Sequence, residues 1–326
     1  MSGNTYSNVG QRTTTYAATV FLEHAEPQEV FGKFGETKPM PKNKAESMTF
    51  RRSVPFPKLT TELAEGVTPA ARQVQFEDVA VTMQEWGEVV EATDRVRELS
   101  EDPVVAEASK LLGEQATETT EAVAWGVLRA GSQVAYAGGT SRVTVDEAIS
   151  ANKIHAAVRV LAAQRAKFIT SIMSSSVNYD SRNVEAGYVC FAHTDAEHDI
   201  RALSGFVPVA KYGSRKTVSP YELGTFENIR FVLTVNAEPF LAAGAAVAAT
   251  GLKTVGGVSI DVYPYVIIGR NAYAHVPLKG AKAVEMFVLS GASKSDPLNQ
   301  RDVVGAKYWY TCVRTNDNWM YRIEAG

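Results

Sequence analysis

The chain has 326 residues, 45% of them hydrophobic and 21% charged, the composition of a folded protein with a core to bury, and its length points to about two domains. Thirty-three Lys and Arg against 36 Asp and Glu give a formal charge of −3, which excludes the basic footprint of a dedicated nucleic-acid binder. Two cysteines, Cys190 and Cys312, are too few for a disulfide framework and both lie in apolar strand-like runs, so they read as buried, reduced thiols. The first 20 residues carry no apolar signal-peptide core, the longest weakly apolar run (241–249) is far short of the roughly 20 residues of a membrane span, and no Asn-x-Ser/Thr site occurs. The expectation is a protein that folds in a cytoplasm, with no membrane partner.

Residues 1–43 are polar with scattered Gly, Pro and Lys and read as an extended arm with short ordered pieces at 20–24 and 30–34. No internal repeat is present. Met48, Phe50, Val54 and Phe56 alternate with Thr49, Arg51, Ser53 and Pro55, the period of a half-buried strand, and Val79, Val81 and Met83 repeat it. Between them runs PFPKLTTELAEGVTPAAR, with three prolines, one glycine and no sustained apolar period. The two strands and this irregular tip at 57–72 make one long hairpin.

Ser100 is the predicted start of a helix, with Glu101 and Asp102 at its positive end and Pro103 in its first turn. Val104, Ala108, Leu111, Ala122, Val127 and Ala130 fall near a three-to-four spacing, and Gly131 is the predicted stop. Such a helix is about 45 Å long. Thr144-x-x-Glu147 reads as a capping box for a second helix, whose stripe is Ile154, Val158 and Leu161. GYVCFA reads as a strand, and Thr194-x-x-Glu197 as a capping box for a short helix reaching Leu203. IRFVLTV, DVYPYVIIG and AVEMFVL are strands, and KYWYTCVR with NWMYRIE reads as a closing hairpin turned at 315–318. The class is α+β.

No phosphate loop or nucleophile elbow is present. The one cluster that could carry chemistry is CFAHTDAEHD, with Cys190, His193, Asp195, Glu197, His198 and Asp199. It lacks the metalloprotease spacing, and helix capping and strand burial account for most of it. Charge is more informative. Between Glu77 and Glu121 there are 13 acidic residues against Arg95, Arg97 and Lys110, whereas Lys38, Lys42, Lys44, Arg51, Arg52 and Lys58 face a single acid, Glu46, over 38–58. Glu107, Glu114, Glu118 and Glu121 fall on one side of the long helix as an acidic stripe, either a solvated face or a charge-matched subunit contact. A two-stranded hairpin is marginal on its own in water, so this one is expected to lie on something. The expected contact residues are Arg51, Arg52, Lys58, Leu59, Leu63, Glu65, Val67 and Arg72, with Glu77 and Asp78 available to pair with the two arginines inside the hairpin.

The order of these pieces resembles tailed-phage coat proteins of the Hong Kong 97 capsid type, and the branch typified by the coliphage N-four coat protein in particular. TELAEGVTP, TVDEAI, ELGTFENIRFVLT, VYPYVIIGRNAYAHVPL and SDPLNQRDVVGAKYW carry the resemblance, in the family's order, from about residue 45 to 323. It implies an N-terminal arm (1–43), an extended hairpin (44–85) lying over a neighbour, a peripheral domain with a spine helix (86–136 and 291–326) and an axial domain (137–290). It implies a virion shell of hexamers and pentamers, assembled in the host cytoplasm, enclosing double-stranded DNA without reading its sequence, with the acidic stripe facing inward. A portal protein and scaffolding or decoration proteins would be partners; the start at Met1 without a long helical extension implies separate scaffolding or self-nucleation. No catalytic residue, metal or cofactor carries over. The alternatives are an encapsulin-like nanocompartment shell and an enzyme using Cys190 and His193.

Overall fold

The computed structural model describes residues 29–60, 62, 65, 66, 68, 70–94, 104–173, 181–213, 217–247, 252–279, 284–289, 291, 298 and 300–326. Strand β8 (Ser181–Ala192) shows why the larger of its two main sheets lies deep in the molecule. From Tyr188 to Ala192 every residue is apolar and buried, and a strand apolar on both faces needs a layer on each. It pairs parallel with β11 (Ile229–Leu233) and antiparallel with β12 (Tyr263–Ile268). Outward lie β16 (Met320–Ala325) and β6 (Val134–Tyr136) on one side, and β10 (Glu222–Phe226) and β9 (Val207–Pro208) on the other, with β7 (Ile169–Met173) beside β8. One face packs on Ile154, Ala157 and Leu161 of helix α2 (Ala151–Ala163) and on Ile200 of the short α3 (Glu197–Arg201). The other meets Trp125 and Leu128 of the long helix α1 (Val104–Leu128), and Val30, Phe31 and Phe34 of the arm.

The second sheet is built on β15 (Arg301–Arg314), which pairs with β5 (Glu85–Thr93) over 301–309, with β14 (Glu285–Leu289) over 303–307 and with β13 (Tyr273–Lys279) over 310–314. The short β1 (Glu36–Thr37) and β2 (Met40–Pro41) add to β13 in parallel. The N-terminal half of α1 covers this sheet through Leu112 and Ala116. Strands β3 (Ser47–Ser53) and β4 (Phe76–Thr82) form a separate antiparallel ribbon, from Ser47 opposite Thr82 to Ser53 opposite Phe76. Its base is anchored where Val81 and Met83 are buried with Met40, Ala274, Val276 and Val313, and Met48, Phe50 and Val79 pack against the same cluster.

Several sequence expectations change. The last two strands are not a hairpin: β15 pairs in the smaller sheet and β16 in the larger. Asn316 caps a 3-10 turn, Asp317–Trp319, that carries the chain across instead of back; the turn residues suit either route, and the partners β13 and β12 decide it. The buried face of α1 is Ala108, Leu112, Ala116, Glu121, Ala124, Trp125 and Leu128, whereas Leu111 is 61% exposed and Ala122 is exposed. The apolar count missed this phase because Ser109, Thr117 and Glu121 share the buried side. Thr144 does not start α2: its Oγ1 accepts from the N–H of Thr140 and Ser141 (3.2 Å each) and closes a 3-10 turn, Arg142–Thr144, while α2 begins after Ser150. His193, not Thr194, caps the next turn, its Nδ1 accepting from the Asp195 N–H at 3.1 Å, and α3 ends at Arg201. The arm piece at 30–34 is a buried 3-10 turn, Phe31–Lys33; the expected piece at 20–24 and the helix start at 100–103 lie outside the described residues.

The helix phase is open to test. Leu112→Ala is expected to cost about 2–5 kcal/mol as a buried truncation, and Leu111→Ala within about 0.5 kcal/mol as a surface change. Urea unfolding of the two variants reads the difference.

Candidate functional site

The hairpin and the arm hold the residues that need an explanation beyond the core. In the ribbon, Arg51 sits opposite Asp78 and Arg52 opposite Glu77. Arg51 donates twice to Asp78, Nε to Oδ1 at 2.7 Å and Nη2 to Oδ2 at 2.8 Å, and Arg52 Nε donates to Glu77 at 2.7 Å. The Arg51 hydrogen bonds hold the Asp78 carboxyl below its ordinary range. The two arginines are therefore committed within the hairpin, and Lys38 lies 3.3 Å from Glu36. A row of basic side chains free to meet a neighbour's acids loses three members.

Beyond the strands one more bond, Val54 N–H to Gln75 O at 2.9 Å, closes the ladder, and the tip opens. Pro55 and Pro57 have no N–H to give a ladder there. Phe56 (56% exposed), Leu59 (86%), Val74 (55%) and Phe76 (57%) stand in solvent around it. Lys58, Glu65 and Arg72 are exposed beside them, and Leu63 and Val67 lie outside the described residues. Apolar side chains clustered on a projecting element mark an interaction surface.

On α1, Glu107 and Glu118 are exposed and Glu114 is half-buried, but Glu121 is buried and does not belong to an outward acidic stripe. Both its oxygens accept from the Phe31 N–H, at 3.0 and 3.1 Å, and Oε1 lies 3.4 Å from the Gly32 nitrogen. The Phe31 carbonyl accepts from Tyr273 Oη at 2.5 Å and meets His275 Nε2 at 3.2 Å, and His275 Nδ1 contacts Tyr310 Oη at 2.5 Å. The Phe31 ring stacks on Trp125 (5.4 Å, 13°) and meets the Phe191 ring edge-on (5.0 Å, 89°). This seat was missed from sequence. The available signal was Glu121 standing four residues before Trp125 on the same helix face.

The CFAHTDAEHD cluster does not assemble a reactive site. Cys190 is 1% exposed and burial pushes its thiol far up, the opposite of an activated nucleophile. His193 Nδ1 is taken by the Asp195 N–H, at 3.1 Å, and Asp199 pairs with Lys253 at 2.6 Å. Among the described residues no group of His, Cys, Asp and Glu is placed to hold a metal ion. Cys312 is likewise buried and its thiol is pushed up to about 12, chiefly by burial; both cysteines are free.

The architecture is two sheets bridged by one long helix, with a projecting two-stranded ribbon. The chain is similar to the capsid of Ralstonia phage GP4 (TM-score 0.66, 15% identity, 92% of this chain and 91% of that one). It is similar also to the capsid of cyanophage Pam1 (0.59, 15%, 87% and 86%) and to the head of Helicobacter pylori bacteriophage KHP40 (0.58, 11%, 89% and 86%). The fold is the Hong Kong 97-type capsid fold. A family model described as phage capsid protein matches residues 76–323, and the chain belongs to that family. No curated protein sequence matches it. Family and fold imply a structural role in a virion capsid.

The arm seat predicts a particular pH profile. Burial pushes Glu121 from 4.5 up to about 7, with Glu29 adding to the rise and the N–H groups of the arm opposing it. Burial pushes His275 from 6.5 down to about 4, against its bond to the Phe31 carbonyl. The stabilisation from neutral Glu121 is complete below about 4.5 and lost as pH rises through about 7; that from neutral His275 is complete above about 6.5 and lost as pH falls through about 4. Across their overlap the slopes oppose, so the seat's contribution to wild-type stability is expected to be nearly flat from about pH 5 to 6.5. Glu121→Gln leaves a contribution that rises with pH, and His275→Asn one that falls, each by at most about 1.4 kcal/mol per pH unit. Urea unfolding of the three proteins at half-unit steps reads the slopes; a wild-type slope as steep as that of either variant contradicts the account.

Proposed function

We propose that the chain is the repeating subunit of an icosahedral tailed-phage shell, assembling into hexamers and pentamers around double-stranded DNA in the host cytoplasm. The observation that carries the reading is the projecting hairpin, with Phe56, Leu59, Val74 and Phe76 in solvent, in a chain of the phage capsid family. The hairpin (44–85) lies over a neighbouring subunit, and apolar contact at its tip outweighs charge, because Arg51 and Arg52 are already paired. The proposed division is a peripheral domain (86–136 and 291–326) and an axial domain (137–290), except that β13 and β14 share the sheet of β15, and β6 and β16 lie in the larger sheet. Exposed Glu107 and Glu118, with Glu114, face the interior and keep phosphate from adhering to the wall. A portal protein and scaffolding or decoration proteins complete the particle, and the resemblance of the motifs supports the branch typified by the coliphage N-four coat protein. The family match favours a phage shell over a cargo-enclosing nanocompartment.

Electron microscopy of the purified chain tests the core of this. Shells, tubes or capsomers are expected; a monodisperse monomer under every condition tried contradicts it. Phe56→Ser with Leu59→Ser is expected to reduce assembly at least about tenfold while moving subunit stability by no more than about 0.5 kcal/mol per site, since both side chains are exposed. Sedimentation and denaturant unfolding separate the two effects.

A further inference from the structure

Two chain crossings join the two large sheets. The chain passes from β12 to β13 through 269–272, and from β15 to β16 through 315–319. These crossings lie side by side. Gly269 N–H donates to Trp319 O at 2.9 Å, and the N–H groups of Thr315 and Asn316 both donate to Ala272 O at 3.0 Å. Asn271 holds a left-handed φ of 56°. The two crossings run antiparallel and are bonded to each other, and hinges are commonly built from a few such element-terminal residues.

Phe31 sits between the two sheets beside these crossings. It touches both sheets and the helix that spans them. Its ring packs on Phe191 of β8 in the larger sheet and on Trp125 of α1. Its carbonyl is held by Tyr273 and His275, both on β13 in the smaller sheet, and its N–H by Glu121 on α1. Phe34 adds a second edge contact to Phe191 at 5.4 Å. Gly35 lies flush on β13: a Cβ there would meet the His275 and Tyr273 rings at 2.6 and 2.7 Å. This single 3-10 turn is held by a few hydrogen bonds and its buried rings, so it is a separable piece, unlike a strand inside a sheet.

We propose that the 30–35 turn of the arm is a removable staple: seated, it fixes the angle between the two sheets; withdrawn, it lets them rotate about the 269–272 and 315–319 crossings. Seat and crossings lie within one chain, so the inference does not depend on how subunits assemble.

Spin labels at Thr93→Cys on β5 and Arg159→Cys on α2, both exposed positions, report the inter-sheet distance in the full-length chain by double electron–electron resonance. Cys190 and Cys312 are buried and stay unlabelled. Tryptic cleavage after Lys33 reports whether the arm has left its seat. The wild type is expected to give one narrow distance and slow cleavage. Phe31→Ala is expected to cleave at least roughly tenfold faster, since proteolysis follows the open population, and its distance distribution should at least about double in width or split. Tyr273→Phe, which removes only a hydroxyl, is expected to shift both readouts the same way to a smaller degree, and carries the test alone if Phe31→Ala does not fold. An arm that cleaves fast while the distance stays narrow overturns the proposal. So does an arm that stays protected in every folded variant.

Discussion

The antiparallel pairing of β12 with β16, and of β13 with β15, ties the end of the chain to its middle. Consecutive strands β12 and β13 lie in different sheets, and β15 and β16 follow them one for one. Because the partners are distant in sequence, neither large sheet is complete until both crossings are made. Such long-range pairing bears the loop-closure cost before it gains burial, which slows folding. The helix α1 then has two faces to satisfy along one length, and its changing neighbours follow from that.

Charge is buried where these elements join, and it is paired there. Glu324 on β16 is fully buried and accepts two bonds from Arg142, each 2.7 Å, while the Arg142 guanidinium lies 3.5 Å from the Phe240 ring. In the sheet's outer part, buried Glu222 accepts from Tyr212 at 2.7 Å and from Arg230 at 3.3 Å. A buried ion pair contributes little net stability over an apolar pair, but removing one partner strands a charge. These pairs therefore act as constraints on which segments lie together: the turn at 142–144 is held to the last strand, and Tyr212 and Val218 to β10.

Much of this was legible in the sequence. The period-two runs at 48–56 and 79–83 became the ribbon, Ile154 and Leu161 became the buried face of α2, and the apolar runs became the central strands. What stayed hidden was decided by partners far along the chain. Turn residues at 315–318 fit a hairpin and a crossing equally well, and only β12 and β13 choose. Glu121 looked like one member of a solvated stripe because its spacing from Glu118 is correct, and only Phe31, ninety residues away, makes it a buried acceptor. For the hairpin, the possible pairing of Arg51 and Arg52 with their cross-strand acids was visible in the sequence, because direct opposition in an antiparallel ribbon follows from register alone.

That self-pairing has a thermal consequence. A ribbon whose two arginines are paired across its own strands presents an aromatic and aliphatic tip, Phe56, Leu59, Val74 and Phe76. Burying such groups is driven by water's entropy near room temperature and weakens on cooling. Any contact made through this tip is therefore cold-labile, firmest in a warm cell and loosest in an ice bath, with ionic strength a secondary influence.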